Sequence, residues 1–111
     1  MVDDFEGIAA VDRERIAPFL VRRALTAGSL VYEDGATQVF SSDGMTTYVE
    51  DGRVSAGEWT VDETGRFASF WPPHYTAEYD LRWLVEDGRI VGLRFLGRDS
   101  VPFVGRYRTG E

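Results

Sequence analysis

The stretch Phe70-Trp71-Pro72-Pro73-His74-Tyr75 gathers the side chains most suited to chemistry in this chain. Its two prolines stiffen a corner, three aromatics flank them, and His74 is the sequence's single histidine. An imidazole titrates near neutrality, so on the rigid lip of a pocket His74 is a candidate proton shuttle. Carboxylates supply the other candidates. Glu78 and Asp80 alternate with Arg82 along one strand face, and Glu58 stands beside Trp59. Pointing into an aromatic interior, these acids would lose solvation and acquire raised pKa values suited to general acid–base work. Facing water, they would form an ordinary solvated face with cross-strand ion pairs, and His74 would be an idle loop residue.

No motif names a reaction. The sequence has no glycine-rich phosphate loop, no Gly-x-Ser-x-Gly elbow and no second histidine to complete a metal pair. Its acids are too dispersed for a calcium loop, and with no cysteine it can build neither a disulfide nor a thiolate zinc site. We therefore expect no metal and no cofactor.

Composition narrows the partners. A net charge of −7 disfavours nucleic acid and anionic membrane, and no run of apolar residues is long enough for a membrane span. The acidic start, Met1-Val2-Asp3-Asp4-Phe5-Glu6, lacks the basic and apolar segments of a secretory signal, so the expected location is cytoplasmic. All 12 basic residues are arginine. Coding bias in a GC-rich genome accounts for that, although a guanidinium fork also suits a carboxylate or phosphate partner.

The elements that must position these residues follow from periodicity. At 111 residues the chain is expected to form one domain, a helical lead-in over 1–27 and a β-region over 28–108. Ile16, Phe19, Leu20 and Arg23-Ala24 recur at helical spacing, Asp12 is a candidate cap and Gly28 a stop. Pro18 either begins a shorter helix or separates two short ones, and a weak second helical segment falls near 4–10.

Beyond Ser29, Asp34-Gly35, Asp43-Gly44, Asp51-Gly52 and Asp87-Gly88 mark hairpin turns. Thr64-Gly65, Pro72-Pro73 and 97–100 supply the other breaks. The intervening segments, 29–33, 36–42, 45–50, 53–61, 66–71, 75–86, 89–96 and 101–108, read as about eight strands of an antiparallel meander. Tyr75, Ala77, Tyr79, Leu81, Trp83 and Val85 share one strand face, opposite Thr76, Glu78, Asp80 and Arg82. Closure removes the two exposed edges, so the expected fold is all-β, an up-and-down barrel of about eight strands with a short N-terminal helical segment. A cystatin-like sheet gripping one helix is the rival, and Arg106 and Tyr107 are expected to close the barrel against the first strand.

Phe40, Asp43-Gly44, Tyr48, Gly52-Arg53, Gly57-Glu58-Trp59, Gly65-Arg66 and Trp71 together resemble the bacterial lipocalin-like proteins of the calycin group. The resemblance covers roughly residues 28–108. It implies a calycin-type barrel that holds a small apolar molecule or, as in a few calycins, catalyses a reaction without a cofactor.

A barrel of this size is either filled by side chains or hollow enough for one small ligand. Tyr48, Trp59, Trp71, Tyr79, Trp83 and Phe95 are the candidate lining. Three functions compete. The favoured one is a module binding a small apolar or aromatic molecule. The second is a cofactor-free isomerase, cyclase or lyase using Glu58, Glu78, Asp80, His74 and Tyr48. The third is an interaction protein whose outer sheet face, carrying Ile90, Leu96 and Val104, or helical lead-in makes a homodimer or contacts a larger partner. Which strand face points inward decides among them.

Overall fold

The structure is a computed structural model, described for residue 5 and for residues 8–97 and 102–108. One helix, α1 (Pro18–Thr26), precedes β1 (Leu30–Tyr32), β2 (Thr37–Phe40), β3 (Met45–Glu50) and β4 (Arg53–Val61). Then follow β5 (Phe67–Trp71), β6 (Tyr75–Glu86), β7 (Arg89–Leu96) and β8 (Phe103–Tyr107). Each strand pairs antiparallel with the next, and β8 returns to β1 through Leu30↔Tyr107 and Tyr32↔Gly105, closing an eight-stranded barrel. The strands expected over 45–50, 53–61, 75–86 and 89–96 have these bounds, and the other four are shorter by a residue or two at their ends.

The Asp-Gly turns fall into two kinds. At Asp51-Gly52 and Asp87-Gly88 both residues have positive φ, the mirror-image turn whose twist matches a two-residue hairpin. At Asp34 and Asp43 the carboxylate instead accepts the backbone N–H two residues on, from Ala36 and Met45, each at 3.0 Å.

The lead-in is one short helix preceded by a stretch bridged to β6. Pro18 opens α1 at its first turn, where a missing N–H costs nothing, and Ala17 caps it without a side-chain bond. Val21, Ala24 and Leu25 face the barrel. Phe19, expected on the apolar side, is 83% exposed, because the buried stripe runs through Val21 and Leu25 instead. Asp12 does not cap the helix. It accepts the Val85 N–H at 2.9 Å and pairs with Arg94 at 3.2 Å.

Residues 13–16, read as having no strand character, pair antiparallel with the second half of β6. Arg13 N–H donates to Trp83 O, Trp83 N–H to Glu14 O, and Ile16 N–H to Leu81 O, each at 3.0 Å. The reason is the length of β6: β5 covers only Tyr75–Tyr79, so the edge from Leu81 onward needs another partner. Of the helical segment suggested near 4–10, part lies outside the described residues, and Ile8–Ala10 is not helical.

α1 plugs one end of the barrel. The Tyr107 hydroxyl donates to Ala24 O, a last-turn helix carbonyl with no partner of its own in the helix. Around the plug, Leu30, Phe40, Trp59, Phe67, Leu81, Trp83, Leu93 and Phe95 fill the barrel as a dense core.

Candidate functional site

The opposite end is open, and the inward positions say why. Toward the plug, inward residues are large: Phe40, Trp59, Phe67, Leu81 and Trp83. Toward the mouth, the same parity places Ser55, Ser69 and Ala77, which are too small to meet across a barrel, and Gln38, which is tied sideways to Tyr32 and Thr46. The space they leave is a cavity of about 690 Å³, floored by Phe67 and Phe95. That lies within the roughly 300–1,000 Å³ typical of small-molecule pockets.

Aromatic rings form the wall. Tyr32 and Tyr48 stand 6.2 Å apart between centroids, Tyr48 and Trp71 6.2 Å, and Tyr32 and Phe95 6.1 Å. Tyr79 packs on Phe95 at 6.0 Å and on Phe103 at 5.8 Å. Two glycines seat this wall. A Cβ at Gly57 would come within 2.7 Å of the Trp71 ring, and one at Gly105 within 3.0 Å of Tyr32. Both rings therefore lie close against bare backbone on neighbouring strands, where a side chain at Gly57 would force a shift and one at Gly105 would be tight.

A chain of polar side chains runs along the cavity wall. Gln38, Thr46 and Ser69 are buried and each has a partner. Tyr32 Oη donates to Gln38 Oε1 at 2.6 Å, Gln38 Nε2 to Thr46 Oγ1 at 2.9 Å, and Thr46 Oγ1 to Val39 O at 2.8 Å. On the facing strands Trp71 Nε1 donates to Ser69 Oγ at 3.0 Å. Burial raises the Tyr32 pKa well above its ordinary value, helped by Tyr48, Tyr79 and Asp34. Tyr48 shifts the same way, again from burial first, then from Glu50 and Asp34. Both phenols stay neutral through the physiological range.

Of the sequence candidates, Tyr48, Trp71, Tyr79 and Phe95 come together around this cavity. Trp59 and Trp83 sit at the plugged end instead. Trp59 Nε1 donates to both Ser41 O and Met45 O at 3.0 Å, beneath the Arg22 guanidinium, and Trp83 meets Phe5 edge-on at 5.4 Å.

The acid–base set points elsewhere. Glu58 is exposed on the outer face of β4, and His74 is exposed on the β5–β6 turn. Glu78 and Asp80 lie on the outer face of β6, held by Arg66 at 3.0 and 2.9 Å, with Arg15 a further 3.8 Å from Asp80. Glu78 also borders a shallower cleft with Arg66, Thr76 and Gly97. The inward carboxylate that the acid–base reading needs is not supplied by any of these residues. Period-2 alternation explains the outcome, since Tyr79 and Leu81 take the inward positions between them. Of the residues expected to serve a homodimer, Ile90 packs against the core, and Leu96 and Val104 are half-buried.

Tyr32, Gln38, Phe67, Ser69, Ala77 and Phe103 also line the cavity and were not singled out from sequence. The available signal was a polar or small residue at inward parity on an otherwise apolar strand face: Gln38 before Phe40, and Ser69 between Phe67 and Trp71.

Fold and site together define a closed eight-stranded β-barrel, plugged by a helix at one end and open over an aromatic cavity at the other. Comparison with protein-family models, with curated proteins and with solved structures finds no match to this chain. Among the described residues no helix is long and apolar enough to cross a membrane, and no three His, Asp or Glu side chains group as metal ligands.

Proposed function

We infer that this protein is a calycin-type binding module holding one small apolar or aromatic molecule in the mouth of its barrel. The observation that carries this is the aromatic-walled cavity of about 690 Å³, with its buried polar groups already paired to one another. A pre-formed, largely apolar hollow with a few fixed polar groups suits a ligand that is mostly ring or chain. The charged outer faces, with Glu58 and Glu78 exposed and Asp80 and Arg66 half-exposed, support an aqueous setting, and we place the protein in the cytoplasm.

Thermal unfolding against a chemically broad set of apolar and aromatic molecules tests the reading. A ligand at about 100 times its Kd, bound only by the folded chain, adds roughly 2.7 kcal/mol and visibly raises Tm. A saturable shift supports the module. A flat response across the set contradicts it and turns attention to protein partners. The outer face of β2–β4 offers a surface for that second reading, where Val39, Met45 and Val54 are exposed. Sedimentation at high concentration tests for self-association through it.

A further inference from the structure

Resting on the reading of the cavity as a ligand site, we propose that it selects organic cations: amines carrying an aromatic or other apolar body, with the ammonium held at the rim. Three independent features of the site converge on this class.

The first is the polarity of the hydrogen-bond chain. Val39 O is a carbonyl and can only accept, so the Thr46 hydroxyl must give it its proton. Thr46 Oγ1 is then an acceptor, which obliges Gln38 to present its amide nitrogen there and its oxygen to Tyr32. The single phenolic proton of Tyr32 is thereby committed to Gln38. What Tyr32 Oη retains for a ligand is a lone pair, which suits an N–H donor and repels a carboxylate. The direction is imposed from a backbone carbonyl, so no side-chain rotation reverses it.

The second is charge. Among the described residues, none of the side chains lining the cavity is basic, whereas Glu33 and Asp34 stand at its rim. Arg53, the first residue of β4, and His74, on the β5–β6 turn, lie at the same end but are not part of the lining. Asp34 is fixed there because its Oδ1 accepts the Ala36 N–H at 3.0 Å, and its field reaches both Tyr32 and Tyr48. The Glu33 charge also acts on Arg106, outside the lining, so Asp34 is the stronger determinant.

The third is the wall itself. Tyr32, Tyr48 and Trp71 form a continuous run of rings with successive centroids 6.2 Å apart. Aromatic faces are electron-rich, so a cation that meets a ring face in this wall is attracted to it. An anion would meet the same quadrupoles, two carboxylates and the Tyr32 lone pair, with neutral hydroxyls such as that of Ser69 but no basic side chain among the described lining residues.

The test is a matched trio of probes with one apolar body: naphthylethylamine, naphthylethanol and naphthylacetate, titrated into the full chain near neutral pH and low salt by calorimetry. Attraction by a partly screened rim carboxylate predicts that the amine binds about tenfold more tightly than the alcohol, and the acetate more weakly than either. Added salt should shrink that advantage. The double variant Glu33→Gln, Asp34→Asn should bring amine and alcohol to within about threefold without weakening the alcohol, while Glu63→Gln on the β4–β5 turn leaves the preference intact. Equal binding of all three probes, or tightest binding of the acetate, would overturn the selection and leave the cavity a neutral apolar site. Failure of all three to bind would instead remove the ligand site and the selection with it.

Discussion

The ring of Trp71 lies flat against the backbone of Gly57, so close that a Cβ there would sit 2.7 Å from ring atom Cε3. The same Cβ would sit 2.7 Å from Phe70 O, a backbone atom, so a shift of the ring alone would not relieve the clash. The Gly57→Ala variant should therefore lose about 1–3 kcal/mol through overpacking, read as a fall in the urea midpoint at unchanged slope. It should also perturb probe binding, because the same ring walls the cavity. A neutral result would mean that Trp71 is free to move.

Tyr107 joins β8 to the helical plug through the carbonyl of Ala24. Tyr107→Phe keeps the ring and strands that carbonyl, so a loss of about 1–3 kcal/mol is expected in chemical unfolding. Leu25→Ala, on the buried face of the plug, should cost more, about 2–5 kcal/mol. A larger loss from Tyr107→Phe than from Leu25→Ala would show that the plug is held by polar anchoring and not by packing.

Acid should unfasten the lead-in. The Val85 N–H, followed by Arg94, holds the Asp12 carboxyl below its ordinary 3.8. A depressed folded pKa means its stabilisation is complete above pH 3.8 and is lost as pH falls through the lower folded value. Asp62, held by Thr64 and Arg66, and Glu86, held by Arg106, add to the same acid limb. Asp12→Asn should be less stable at neutral pH and show a shallower decline below pH 4 in a series of thermal scans. An unchanged acid limb would show that the Asp12 contacts do not survive in solution.

Alkali should act on the cavity. Tyr32 and Tyr48 both ionise above the ordinary 10.0, chiefly because burial disfavours the phenolate. For an acid with a raised folded pKa, stability is untouched below pH 10 and declines as pH rises from there toward the folded value. Subtracting the phenolate titration of Tyr32→Phe from that of the parent chain should reveal a phenol that ionises late. An ordinary midpoint in that difference would place Tyr32 in contact with water.

Much of this architecture was legible because it rests on local rules. The Asp-Gly pairs set the hairpins, and the alternation from Tyr75 to Val85 fixed which face of β6 looks inward. Two things were hidden by their dependence on distant contacts. Residues 13–16 behave as a strand only because β6 outruns β5, which no local pattern reveals. Trp59 and Trp83 match Trp71 in chemistry and parity, but their height along the barrel consigns them to the plugged end. The hollow was half-visible. Ser69 and Ala77 among large neighbours were its trace, and its wall depends on Gly57 and Gly105 meeting rings on other strands.

The central claim is that the open half of the barrel is a ligand site, and filling it is the most direct test. A fluorescent naphthalene probe should brighten saturably on the parent chain with one site per molecule. Ala77→Trp places a large ring at an inward position of the cavity, and should abolish that signal while circular dichroism remains that of the folded barrel. Equal brightening in parent and Ala77→Trp would place the probe elsewhere on the surface and contradict the account.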